Sequence, residues 1–124
     1  MPEGALRGCH VLVVEDDYFL ATDLAETLAA VGAKVLGPVP TLQAALDLVE
    51  REVPDVAVID VNLSIQGGFP VADRLACIGV PFLFASGYGH PSLPDRHRGV
   101  RLLSKPVESS IAVREIRHIL GLAV

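Results

Sequence analysis

A chain of 124 residues, 51% of them apolar, fits one compact domain and can bury roughly two-thirds of its unfolded surface without disulfides. Its formal net charge of −5 argues against nonspecific nucleic-acid binding, which needs clustered Lys and Arg. No apolar stretch reaches membrane-spanning length, and the two cysteines, Cys9 and Cys77, lack metal-ligand spacing and suggest a reducing compartment, with the cytoplasm as default location.

The opening "MPEGALRG" has no basic region followed by a long apolar one, so residues 1–8 read as an N-terminal tail rather than a signal peptide. Residues 1–124 read as a single domain, with no repeat or linker inside. The first strand, Val11–Val14, is a run of four branched apolar residues that ends abruptly in Glu15, Asp16 and Asp17. Two carboxylates held about 4 Å apart repel by about 4 kcal/mol at an effective dielectric near 20, so the fold must spread, cap or neutralise these charges.

Leu20, Leu24, Leu28 and Val31 then share one face of a first helix, which Asp17 is placed to cap and Gly32 to end. A second strand at Lys34–Gly37 precedes a helix capped by Thr41, with Leu42, Ala45, Leu46 and Val49 on its apolar face. The third strand, Val56–Ile59, runs into Asp60 and Asn62, and Val71, Leu75 and Ile78 mark a third helix. The fourth strand, Pro81–Ala85, ends at Ser86.

A fourth helix is due next, but "GYGHPSLPDRHRGV" carries three glycines and two prolines. Interior proline costs about 3 kcal/mol and glycine about 1, so that helix should be short or disordered, with at best a turn near Ser92–Arg98. The fifth strand, Val100–Leu103, leads to Lys105 and Pro106. In the last helix Ile111, Glu115 and Ile119 lie on one row with Ile116 and Leu120 beside it.

The strand runs are continuous rather than alternating, as in parallel strands buried on both faces. The chain thus reads as an α/β fold, a doubly wound five-stranded parallel sheet of flavodoxin-like order 2-1-3-4-5 with helices on both faces. Such sheets carry their sites at the carboxyl ends of the strands, where Glu15, Asp16, Asp60, Ser86 and Lys105 all fall. Clustered carboxylates suit Mg²⁺, which keeps waters for a phosphoryl group, and one carboxylate can act as a nucleophile toward phosphorus. An ammonium and a hydroxyl can stabilise the transferring oxygens.

These residues carry a family resemblance. The acidic pair in "VVED", the aspartate in "VIDVN", the hydroxyl residue in "FAS" and the lysine in "SKP" resemble a receiver domain of two-component response regulators over essentially the whole length. The resemblance implies Asp60 as phosphoacceptor, with Mg²⁺ held by Asp16, Asp60 and the backbone carbonyl of Asn62, and Glu15 joining directly or through water. It implies that Lys105 pairs with the phosphoryl group, that Ser86 swings toward it, and that the Lys105–Pro106 bond is cis. "FASGYG" is similar to the signature of the stand-alone FATGUY receivers, with serine in place of threonine and a poorly formed fourth helix.

The implied function is a phosphoacceptor module of a His–Asp phosphorelay, not an enzyme beyond its own phosphorylation and slow dephosphorylation. Its partners would be a histidine kinase or a histidine phosphotransfer protein and a downstream protein, with no nucleic acid, no membrane and no DNA-binding output domain, as a monomer or weak dimer. Leu102 departs from the family, which often has an aromatic residue there; Tyr88 is the candidate to replace it. The loop "LSIQGG" lacks the family's common Met-Pro. His10, His90, His97 and His118 show no ligand spacing and read as surface residues, and Arg96, Arg98 and Arg101 as a solvated basic patch.

Four other readings compete. A flavodoxin-like flavin binder needs a phosphate cradle where "EDD" stands. An aspartyl-nucleophile phosphatase wants a second aspartate where Asn62 stands. A receiver-like docking module that is never phosphorylated would not need the intact acceptor, acids and lysine, and a receiver cut from a hybrid kinase would share the motif.

Overall fold

The structure, a computed structural model, describes residues 4–63, 67–87 and 92–122. Five strands, β1 (His10–Val14), β2 (Lys34–Val39), β3 (Val56–Asp60), β4 (Phe82–Ser86) and β5 (Leu102–Ser104), form one sheet in the order β2-β1-β3-β4-β5. Every neighbouring pair is parallel. Four helices connect or follow them: α1 (Tyr18–Ala30), α2 (Leu42–Arg51), α3 (Phe69–Cys77) and α4 (Ser109–Ile119). None of the described helices is long and apolar enough to cross a membrane.

The continuous apolar strands divide their side chains between two cores. Val11 and Val13 of β1, Val56 and Val58 of β3 and Leu83 of β4 face Leu24 and Leu28 of α1 and Ala112, Val113 and Ile116 of α4. Leu12 and Val14, Ala57 and Ile59, and Phe82 and Phe84 face the other way, against Ala45 and Val49 of α2 and Val71, Ala72 and Leu75 of α3. Successive strand residues point to opposite faces, so a strand covered on both sides has no position for a polar residue until it leaves the sheet. This is what confines the chemistry to the strand ends.

The expected helix starts are in place. Asp17 accepts hydrogen bonds from the amides of Phe19 and Leu20, and Thr41 from that of Ala44. At the end of α1, Gly32 has φ +97 and lies against the Arg7 backbone, where a Cβ would come within 3.0 Å.

Two expectations are corrected. Within the stretch 1–8 read as a tail, residues 4–8 are packed: Ala5 and Leu6 are buried against α1 and α4, and the Leu6 amide donates to the Val31 carbonyl. The buried row of α4 is Ala112, Val113 and Ile116, with Ile111, Ile119 and Leu120 only partly covered, because the helix turns a neighbouring stripe inward. As expected, the described residues between β4 and β5 hold only a 3-10 turn, Asp95–His97, in place of a fourth helix.

Candidate phosphoacceptor site

Parallel register brings the strand ends to one rim. Asp60 closes β3 opposite Ala85, and Ser86 closes β4 opposite Ser104. Glu15 follows β1 directly, its amide bonded to the Val39 carbonyl, and the Lys105 amide donates to the Ser86 carbonyl. Asp60 and Ser86 are each 2% exposed and Glu15 7%, while Asp16 stands in solvent.

Lys105 organises this rim. Its ammonium lies 2.6 Å from Glu15 Oε1 and 3.0 Å from Asp60 Oδ1. The remaining lone pairs are served locally: the Asn62 amide donates to Asp60 Oδ1 at 2.9 Å, and the Asp17 amide to Glu15 Oε2 at 3.0 Å. Burial pushes the Glu15 carboxyl above its ordinary value, with Lys105 and the Asp17 amide pulling against it and the Asp60 charge reinforcing it. For Lys105 burial alone lowers the ammonium, but Glu15 and Asp60 outweigh it and hold Lys105 above its ordinary value. Both directions describe one shared network of charge, in which the lysine stays protonated.

Carboxylate oxygens of Glu15, Asp16 and Asp60 lie within 4.8 Å of one another. Such a set of hard oxygen donors suits a divalent cation of Mg²⁺ type. Asn62 and Asp16 line the same open cleft of about 410 Å³ with Asp17, Leu20, Gly87, Lys105 and Pro106, so a small oxyanion and its waters can reach Asp60. The Lys105–Pro106 bond is cis, as is Gly37–Pro38. Of the three opening acids, Asp17 is spent on the α1 cap, leaving Glu15 and Asp16 for the cleft.

Behind Asp60 the packing leaves no slack. A Cβ added to Gly68 would lie 2.4 Å from the Asp60 carbonyl oxygen and from Ile59 Cγ2, so only glycine lets α3 begin this close to Asp60. Beside the cleft, Tyr18 and Phe19 are 73% and 81% exposed, their rings edge to face at 5.6 Å. Tyr88 lies outside the described residues, as do Ser64–Gln66 of the loop after Asn62.

One histidine was misread from sequence. His97 is 3% exposed, not a surface residue, and its Nε2 lies 2.7 Å from Asp73 Oδ1 of α3. Arg96 grips the same carboxylate through Nε and Nη2 at 2.7 and 3.0 Å. With Arg98 on Asp95 and Arg101 on Glu115, the basic patch is paired rather than simply solvated. No periodic signal marks His97, because the turn that buries it follows neither helical nor strand spacing. His10 pairs with Asp55, His118 is exposed, and His90 lies outside the described residues.

No family model matches the chain. The transcriptional regulatory protein PdtaR of Mycobacterium tuberculosis is 28% identical over 91% of this chain, which spans only 60% of that relative's length. The solved structure of a response regulator receiver protein from Burkholderia phymatum matches with a TM-score of 0.78 and 25% identity, over 94% of this chain and 98% of that one. The signal receiver domain of a modulated diguanylate cyclase from Desulfovibrio desulfuricans matches with 0.78 and 26%, over 91% and 94%. The chain has the fold of these receiver domains, and the resemblance carried by its strand-end motifs is borne out.

Proposed function

We propose that this chain is the phosphoacceptor of a His–Asp phosphorelay, with Asp60 as the residue that carries the phosphoryl group. The observation that carries the reading is the setting of Asp60, a carboxylate at a strand end that opens to the cleft, is fixed by Lys105 and the Asn62 amide, and belongs to a three-carboxylate cluster. An Asp60 oxygen attacks phosphorus, the P–N bond to the donor's histidine breaks, and its electron pair returns to the imidazole.

Lys105 stays charged, 3.0 Å from Asp60 Oδ1, and takes up the charge that the phosphoryl group brings. Glu15, Asp16, Asp60 and the Asn62 carbonyl would hold Mg²⁺, which when bound supplies further charge neutralisation for the phosphoryl oxygens. The Ser86 hydroxyl, at the next strand end, would bond a phosphoryl oxygen. The donor is a histidine kinase or phosphotransfer protein that covers the cleft mouth and, with it, Tyr18 and Phe19. The output is a change in which protein this module binds or an onward transfer, and no turnover of another substrate is assigned.

The test is intact mass after incubation with acetyl phosphate, with and without Mg²⁺, beside Asp60→Asn. One added phosphoryl group that needs both Mg²⁺ and Asp60 is the expected result. An equal addition to Asp60→Asn would remove Asp60 from the role. No addition, together with no binding of beryllofluoride in Mg²⁺, would make the chain a docking module instead.

A further inference from the structure

His97 is built into the fold in a way that packing alone does not require. Its ring lies nearly flat on Phe69, with centroids 6.2 Å apart and 20° between planes. It meets Phe82 edge on at 5.5 Å and Phe84 edge on at 5.7 Å. A phenylalanine or leucine could fill such an apolar slot, whereas a buried imidazole needs a polar partner to offset its desolvation. Asp73 is that partner, reached from α3 at 2.7 Å and held in turn by the Arg96 fork. One polar ring thereby fastens the 3-10 turn to both α3 and β4.

The two sides of this fastening lead back to the acceptor site. Phe69 is the first residue of α3, and Gly68 before it is pressed against the Asp60 carbonyl and Ile59. The Asp60 side chain also fixes the following turn through the Asn62 amide. Phosphorylating that carboxylate to an acyl phosphate changes what Lys105 and the Asn62 amide can bond, and with no slack at Gly68 a shift there must move Phe69. Phe84, on the other side, stands two residues before Ser86 on β4. Opposite Phe84 on β5 is Leu102, which is half-buried and has no polar atom with which to switch between bonded states.

We propose that His97, with Phe69 and Asp73, relays the state of Asp60 to the β4–β5 connection, residues 92–101, by a route that does not pass through residue 102. The relay rests on the phosphoacceptor reading and deepens it by naming the side chains that carry the change. A state-dependent partner therefore reads the connection around the 3-10 turn. His97 is a positioning residue in this scheme, because it touches neither the phosphoryl group nor the cation.

The experiment follows backbone hydrogen exchange with and without beryllofluoride and Mg²⁺, a phosphoryl mimic that needs no donor protein. The amides of His97, Arg98 and Val100 are bonded within the turn, to Pro94, Asp95 and His97, so their exchange reports its opening. In the unmodified chain and in Leu102→Ala the mimic changes exchange in 92–101 by about 5-fold or more, the lower range of measured allosteric couplings. In His97→Phe, which keeps an aromatic ring in the slot, binding persists as slowed exchange at residues 60–63, but the response in 92–101 is lost. Asp73→Asn, which leaves the aromatic slot untouched, gives the same loss and serves if His97→Phe does not fold.

A full response at 92–101 in either variant with the mimic bound overturns the relay. So does its loss in Leu102→Ala alone, or its absence from the unmodified chain when residues 60–63 show binding. Failure of the unmodified chain to bind the mimic at all removes the phosphoacceptor reading itself and the relay with it.

Discussion

Lys105 holds together charges that would otherwise oppose folding. Glu15 and Asp60 are both buried, and two carboxylates about 4 Å apart repel by about 4 kcal/mol at an effective dielectric near 20. The ammonium between them, at 2.6 and 3.0 Å, turns that repulsion into a bonded triad. Removing one partner of a buried ion pair costs about 3–5 kcal/mol, because the remaining charge keeps its desolvation. Lys105→Met should therefore lower the unfolding free energy measured in urea by an amount near the bottom of that range, since the cleft admits some water. A divalent cation that binds only the folded chain stabilises it by mass action. Millimolar Mg²⁺ should then raise the melting temperature of Lys105→Met more than that of the unmodified chain, and that of Asp60→Asn less. Equal Mg²⁺ shifts in all three would show that the cation does not sit among these carboxylates.

The helices differ in how openly the chain announces them. Asp17 and Thr41 are side chains of the preferred capping kind, and each lies where its spacing places it. The α4 start is less legible, because its cap is Glu108, a residue type outside the usual set. Glu108 accepts from the Ser110 hydroxyl and amide and from the Ile111 amide. The Ser110 hydroxyl bond is the main cause that holds the Glu108 carboxyl below its usual range. A carboxyl depressed by folding stabilises the fold above its unfolded value, about 4.3, and that contribution fades as pH falls through the folded value. The melting-temperature gap between the unmodified chain and Glu108→Ala should be full at pH 7 and close progressively below about pH 4. A gap of constant size across that range would mean that the carboxylate is not the cap. The same contrast explains the strands. Val11–Val14 and Val56–Ile59 were readable because burial on both faces leaves an unbroken apolar run. The burial of His97 was not, because one buried imidazole among exposed neighbours leaves no period in the sequence.

For the whole molecule, the strand-end rule brought Glu15, Asp16, Asp60 and Lys105 to one cleft because the carboxyl edge of a doubly wound sheet is where polar side chains from several strands meet. The same rule says nothing about what closes the opposite side, and there the expectation of a loose start to the chain went wrong. Residues 4–8 fold as turns against the C-terminal end of α1, with Leu6 fully buried among α1 and α4 side chains and the Arg117 guanidinium on the Ala5 carbonyl. The Leu6 amide bonds Val31, the Cys9 carbonyl accepts from Lys34, and Gly32 makes room for the Arg7 backbone. The segment thus ties the first and last helices to one face of the sheet. Truncating a buried leucine to alanine costs about 2–5 kcal/mol through lost transfer energy and the cavity left behind. Against a domain stability of about 5–15 kcal/mol, Leu6→Ala should remove a large share of the total. The test is urea unfolding: the midpoint should fall, while the slope, which follows the surface exposed on unfolding, stays as in the unmodified chain. Because Leu6 lies away from the cleft, phosphorylation by acetyl phosphate below the unfolding range should be unchanged. An unchanged midpoint would mean that the segment is a tail in solution, and α1 and α4 would then have to hold that face of the sheet by their own contacts.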